Sequence, residues 1–408
     1  MGAHRRRLSG GIAAAVTLAL ATSCSSAPGG SSGNSGNTAC DSPGVTSNQI
    51  KLGFVYPATG PSSTALSAAR AGLDARIGLA NEQGGVHGRR ITYEWGDDQG
   101  TASGAAVAID SLVQQRNVFG LVSASASLGD SMTALTKQEV PVTGTAIEPT
   151  WAGHDNMFSF IYSASPAVVG RYVRAAHGTR VAIIIGDPSA LTSENTVMYE
   201  QSLRAAGASA VQTFSYVATT GNPAQVANKI NSFGADALLG ITAPDDFAQV
   251  VQATRVAGAH LAVSVVLTGY DRSVIASAHG KALAGVSMPV FFRPFEAGGP
   301  AIQQYQHAMV TYAPESGDPD QQFAVFTYIS ADMFLRGLDL AGPCPTRAGF
   351  IKALRGVSSY DAGGLIAPID LRDDSGKPLS CYAFVQVAPD GTAFQVVRDR
   401  VCADGSTG

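Results

Sequence analysis

Short apolar runs alternate with segments of helical period along almost the whole chain, and that alternation admits few folds. Residues 50–56 read as an apolar strand. Leu66, Leu73, Ile77 and Ala80 then recur at helical spacing, with Ser63 or Thr64 as the expected cap and Gly84-Gly85 as the stop. Strands over 91–95, 118–122 and 140–143 follow, separated by helices over 102–115 and 128–137. After Pro166 the rhythm restarts, with strands over 181–185, 211–217, 237–241 and 262–267 and helices over 192–206, 224–233 and 246–257. Strands almost free of polar residues, joined to helices by short loops, belong to parallel sheets covered on both faces. The class is therefore α/β, with two doubly wound, Rossmann-like lobes. A strand over 285–292, a long helix over 321–340, a shorter one over 346–354 and a hairpin about Pro389-Asp390-Gly391 complete the chain. Two such lobes leave a cleft between them, and open α/β sheets take their ligands beyond the carboxyl ends of the strands.

The start of the chain bears on where it works. Arg5, Arg6 and Arg7 are followed by an apolar stretch from 12 to 21 and by Ala21-Thr22-Ser23 ahead of Cys24, the pattern of a signal peptide (1–23) ending in a lipobox. Cys24 is the expected lipidated first residue, and the stretch is too short to span a bilayer as a helix. Residues 24–44, rich in Ser and Gly, read as a flexible tether. Without residues 1–23 the formal charge moves from −4 to −7, which excludes a general nucleic-acid binder. The expected place is the outer face of a bacterial cytoplasmic membrane, reached through a lipid anchor only.

Cys40, Cys344, Cys381 and Cys402 remain, with spacing that suits no zinc site and leaves three disulfide pairings open. Cys344 with Cys381 is the expected pair, and Cys40 with Cys402 by elimination, which would tie the start of the fold to its end. Catalytic signatures do not occur past the tether: that part of the chain has no GxSxG elbow, HExxH or Walker loop, and no GxGxxG after a strand. Its histidines past the signal, His87, His154, His177, His260, His279 and His307, are scattered singly. No enzyme, metal or cofactor is expected.

Four stretches, KLGFVYPATGP at 51–61, NEQGGVHGRRITYEWGDDQG at 81–100, VTGTAIEPT at 142–150 and FTYISADMFLRGLDLAG at 326–342, resemble by their order and spacing the type I periplasmic binding proteins of ABC importers, in the Leu/Ile/Val-binding branch. The resemblance implies lobes of 45–163 plus 294–378 and of 164–293 plus 379–402, a tail of 403–408, three hinge crossings, and closure around a small solute. It implies a monomer that serves an ABC permease and its ATPase subunits. The same fold also serves ligand-sensing receptors that report to a signalling partner.

Carried over by position, the resemblance places a ligand's carboxylate near Ser125 and its ammonium group near the Ala146 carbonyl and Glu148. Glu148 stands where the family usually has Thr. Ser62, Ala65, Ala124 and Ile147 join this side. Asp187, Ala190, Ala243, Tyr270 and Asp271 are the corresponding residues of the second lobe, with Asp271 as the acidic partner of an ammonium and Tyr270 as a filler of the pocket. Small residues at 190 and 243, where aromatics are frequent, leave room for a bulkier guest. The expected solute is a small polar organic molecule: an amino acid, an amide or a related small acid.

Overall fold

A computed structural model describes residues 40–60, 62–186 and 190–406. The signal, Cys24, the tether up to residue 39, Asp187 and the last two residues lie outside them, as does the side chain of Ala190.

The first lobe is built on β1 (Gln49–Tyr56), α1 (Ala69–Glu82), β2 (Arg90–Asp97), α2 (Ala102–Asp110), β3 (Leu121–Ser123), α3 (Ser131–Lys137), β4 (Val142–Gly144) and β5 (Met157–Phe158). The strands are parallel, in the order β2-β1-β3-β4-β5. The chain steps outward from β1 to β2 and then returns past it to β3, so the helices on the two sides diverge at the carboxyl end of β1 and β3 and open a crevice there. Thr101 caps α2 by accepting from the Gly104 N–H, and a π turn over Ser111–Gln115 extends that helix. α1 begins at Ala69, later than expected, because Ser63 bonds back to the Gly60 carbonyl at 2.7 Å and caps nothing. Gly84 and Gly85, both at positive φ, end it as expected.

The second lobe repeats the plan with α4 (Pro166–Ala175), β6 (Arg180–Ile185), α5 (Ala190–Ala205), β7 (Ala210–Ser215), α6 (Pro223–Phe233), β8 (Ala237–Ile241), α7 (Pro244–Val256), β9 (Val263–Val266), α8 (Arg272–Ile275) and β10 (Val286–Val290). Val181, Ala182, Ile183 and Ile184 are wholly buried, as their lack of polar neighbours implies. α6 has Asn222 as N-cap, Pro223 in its first turn and Gly234 in the left-handed region at its end. α9 (Pro300–Tyr312), α10 (Gln322–Leu340) and α11 (Arg347–Arg355) follow, and α9 and α10 pack on α1. α10 also covers β3 and β4. A side chain at Gly72 would run into the Ala324 carbonyl, so glycine there lets α1 and α10 touch by backbone. β11 (Cys381–Val387) and β12 (Phe394–Cys402) then add an antiparallel hairpin to β10, which gives the order β12-β11-β10-β9-β8-β6-β7.

The chain therefore passes between the two sheets three times, after β5, after β10 and before β11. The first and last passages run side by side: Leu379 N–H donates to the Ser163 carbonyl at 2.7 Å and Ser165 N–H to that of Leu379 at 3.1 Å. The middle one is held by Arg293 N–H on the Leu365 carbonyl. Phe326 of α10 packs edge-on against Phe160 and Phe292, one from each of the first two passages.

The disulfides differ from the expected pairing. Cys381 and Cys402 face each other at the open end of the β11–β12 hairpin and are bonded, and Cys40 is bonded to Cys344 in the α10–α11 loop. Strand register decides the first pair, and the second fastens the segment ahead of β1 to the helical layer of its own lobe. The start of the fold is not tied to its end.

Candidate ligand-binding site

One strand-end loop of the second sheet touches the helical layer of the first lobe. Asp271, just past β9, pairs by backbone with Gln321, just ahead of α10, and α10 lies on α1. Gly72 near the start of α1 lies against Ala324 near the start of α10, so the loop that leaves β1 and enters α1 lies toward the end of α10 that Asp271 touches.

In the first lobe, carboxylates shape the strand-end loops. Asp97 Oδ1 accepts the N–H groups of Ala58 (3.0 Å), Thr59 (3.2 Å) and Gln99 (2.9 Å), and Oδ2 accepts the Thr59 hydroxyl at 2.6 Å. Burial by itself raises the Asp97 pKa, but these donors outweigh it and leave the carboxyl below its ordinary value. The next residue, Asp98, is fully buried and accepts the Gly100 N–H. Ser62 is half-buried in the loop that Asp97 holds, and Ala65 is exposed.

The loop after β3 is likewise closed on itself. Ala124 N–H completes the ladder to the Val55 carbonyl. Ser125 is fully buried, its N–H donates to Ser123 Oγ at 3.3 Å, and its own Oγ accepts the Ser127 N–H at 3.0 Å. The N–H of Ser125 is therefore engaged within the loop, and its hydroxyl oxygen accepts there while keeping its proton to donate. Glu148 corrects the expectation further: Oε2 accepts the Leu128 N–H at 2.8 Å and Oε1 the Gly129 N–H at 2.9 Å. α3 starts at Ser131 and not at 128, because Gly129 stands at a positive φ of 49° that no α-helix contains. Ala146 is buried, with its N–H on Ser159 Oγ, while Ile147 is 42% exposed.

In the second lobe Ala243 is exposed at the start of α7. Tyr270 does not fill a pocket. It is 3% exposed, stacks on Phe295, meets Phe394 edge-on, donates to Glu296 Oε2 at 2.5 Å and accepts the Phe295 N–H. Burial and the neighbouring Glu296 drive its pKa far above the phenol range, so it is a neutral strut of the inter-lobe aromatic cluster. Asp271 is half-buried and caps α8, with Oδ1 accepting the Ser273 N–H at 2.8 Å.

Sequence reasoning passed over the ion pair beside it. Arg272 Nη2 lies 2.8 Å from Asp320 Oδ2, and Gln306 Nε2 donates to the other oxygen at 2.7 Å. Arg272 opens α8, after β9 of one lobe, whereas Asp320 lies just ahead of α10 and Gln306 within α9, in the layer of the other, so the pair joins the lobes. Burial raises the Asp320 pKa, with Gln306 and Arg272 opposing it. Only the acidic run at 318–320 hints at this in the sequence. Thr145 and Thr242, each just past a strand, carry buried hydroxyls without a partner. Among the described residues no cluster of His, Cys, Asp or Glu could hold a metal ion, and no helix is long and apolar enough to cross a membrane.

Residues 49–392 match the profile of the periplasmic binding protein family. The chain belongs to that family. It is 24% identical over 362 residues to a Leu/Ile/Val-binding protein homolog 7 of Brucella abortus, which spans 83% of this chain and 85% of that one. Among solved structures it resembles a fatty acid ABC transporter substrate-binding protein from Thermomonospora curvata, with a TM-score of 0.71, 17% identity, and coverage of 90% of this chain and 96% of the other. It also resembles a leucine-binding protein from Thermotoga maritima, with a TM-score of 0.68, 15% identity and coverage of 87% and 99%. The fold is that of the type I periplasmic binding proteins, and these relatives are binding proteins, not enzymes.

Proposed function

We propose that this protein is the extracytoplasmic solute-binding component of an ABC importer, held to the membrane by a lipid on Cys24. It captures a small polar organic solute by closing its lobes and presents the closed form, as a monomer, to a permease with its ATPase subunits. The lobes are 45–163 plus 294–378 and 164–293 plus 379–402. The observation that carries this reading is the joining of two largely parallel sheets, each with its own helices, by three chain passages. Such a junction has few torsions to change and much loop surface to bring together, which suits hinge closure. The basic run and the small residues ahead of Cys24 support the anchor.

Amino acids, amides and small acids are the solutes to try first, because the relatives named above range from leucine to fatty acid binders. A thermal-shift screen of the purified protein against them tests the reading. A true ligand raises the melting temperature progressively as its concentration passes the dissociation constant. Turnover of a bound solute by the pure protein would overturn it.

A further inference from the structure

Between the lobes, Arg272 meets a small acidic loop that is built without it. Gln321 Nε2 donates to the Ser316 carbonyl at 3.2 Å and to that of Asp318 at 2.7 Å, and the Asp320 N–H donates to Asp318 Oδ1 at 2.9 Å. Two residues of α9 tie the same loop down: the Tyr305 phenol donates to the Pro319 carbonyl at 2.7 Å and the Gln306 amide to Asp320 Oδ1 at 2.7 Å. All of these bonds lie within the first lobe, so Asp318 and Asp320 are set in place by their own lobe.

The cation comes from the other side. Arg272 is the first residue of α8, whose cap, Asp271, pairs by backbone with Gln321. Its Nη2 lies 2.8 Å from Asp320 Oδ2 and its Nε 3.8 Å from Asp318 Oδ2. Among the described residues it is the only cation paired with either carboxylate. The two partners differ in burial: the Arg272 side chain is 61% exposed and that of Asp320 only 7%. A rotation that withdraws Arg272 returns the guanidinium to water at little cost. It leaves Asp320 a buried carboxylate with only Gln306 of its two side-chain donors, and with Asp318 as a like charge beside it. A buried carboxylate stripped of its partner is costly, so this contact resists rotation by more than an exposed pair would.

We propose that Arg272, Asp320 and Asp318 form an electrostatic latch that holds the lobes at their present angle, so that ionic strength sets how readily they swing before any solute arrives. The latch rests on the lobes being movable, as the closure reading above has it, and adds what restrains them in the empty protein.

The test needs no ligand. Spin labels are placed on Ala65→Cys and Ala243→Cys of the full chain in a Cys24→Ser background, and the distance distribution is recorded at about 0.05 M and about 0.5 M salt, where screening differs strongly. Arg272→Gln, confirmed as folded by circular dichroism and a cooperative melt, is expected to raise the population outside the native low-salt distribution about two-fold or more. High salt is expected to move the native chain toward Arg272→Gln and to leave Arg272→Gln almost unchanged. Arg272→Lys, which keeps the charge, should fall between them. Asp318→Asn, which leaves α8 untouched, should shift the distribution in the same direction by less.

Native and Arg272→Gln distributions that coincide at low salt would overturn the latch. So would a shift in Arg272→Gln that the native chain does not approach at high salt, since Arg272 would then act only through the folding of α8. Either result leaves solute capture to be decided by the same labels with solute added. A distribution fixed in every variant at both salts, and unmoved by every compound of the solute screen, would count against lobe movement itself and against the latch with it.

Discussion

Asp97 and Glu148 do a similar job at two places: Glu148 holds a backbone N–H on each carboxylate oxygen, and Asp97 holds three on Oδ1 and the Thr59 hydroxyl on Oδ2. Charge-assisted bonds are stronger than neutral ones, but most of those on Asp97 face water, so Asp97→Asn should cost about 1 kcal/mol or less in urea denaturation near neutral pH. The pH dependence follows from the sign of the shift. A carboxyl depressed in the folded chain stabilises it fully above its ordinary pKa of 3.8 and loses that contribution as pH falls through the lower folded value. The gap between native protein and Asp97→Asn should therefore be wide at pH 6 and shrink below pH ~3.5. A gap that is the same at both ends would remove Asp97 from this role.

These residues also show what a sequence withholds. Glu148 reads as a ligand group because nothing in its neighbourhood announces that it reaches back to Leu128 and Gly129. Tyr270 reads as a pocket wall because its partners Phe295, Glu296 and Phe394 arrive from other segments. Ser125 spends its N–H on its own turn and keeps only the proton of its hydroxyl to donate.

At the scale of elements, the strands were the most legible part. A strand covered on both faces must be apolar throughout, and 181–185 and 237–241 announce themselves in that way. Helices α4 and α9 were not anticipated. Each begins at a proline that reads equally well as a loop residue. The cysteines were misread because pairing follows register, and the bulged β11–β12 register that brings Cys381 opposite Cys402 is not written in the hairpin turn. Non-reducing peptide mapping should recover a 381–402 peptide pair and a 40–344 pair. Replacing both Cys381 and Cys402 by Ser should cost about 3 kcal/mol on the chain-entropy view of a hairpin-sized loop. Recovery of a 344–381 peptide would contradict the hairpin register.

For the whole molecule, what matters is which contacts between lobes are permanent. The passages around Ser163, Leu379 and Arg293 and the aromatic cluster about Tyr270 and Phe326 form a fixed base. The Arg272–Asp320 pair stands beside it, where rotation of one lobe would first be felt. Away from the base, Ala65 and Ala243 are exposed on opposite lobes. On the proposed capture by closure, a solute shifts the balance between open and closed forms only by touching both sides, and these rims are then expected to approach when it binds. The direct measurement is the distance between spin labels on Ala65→Cys and Ala243→Cys, with and without the compound that most raises the melting temperature. Closure requires the distance to shorten and its distribution to narrow when that compound is added. A distance unchanged at saturating compound would mean that the lobes do not clamp a guest between them.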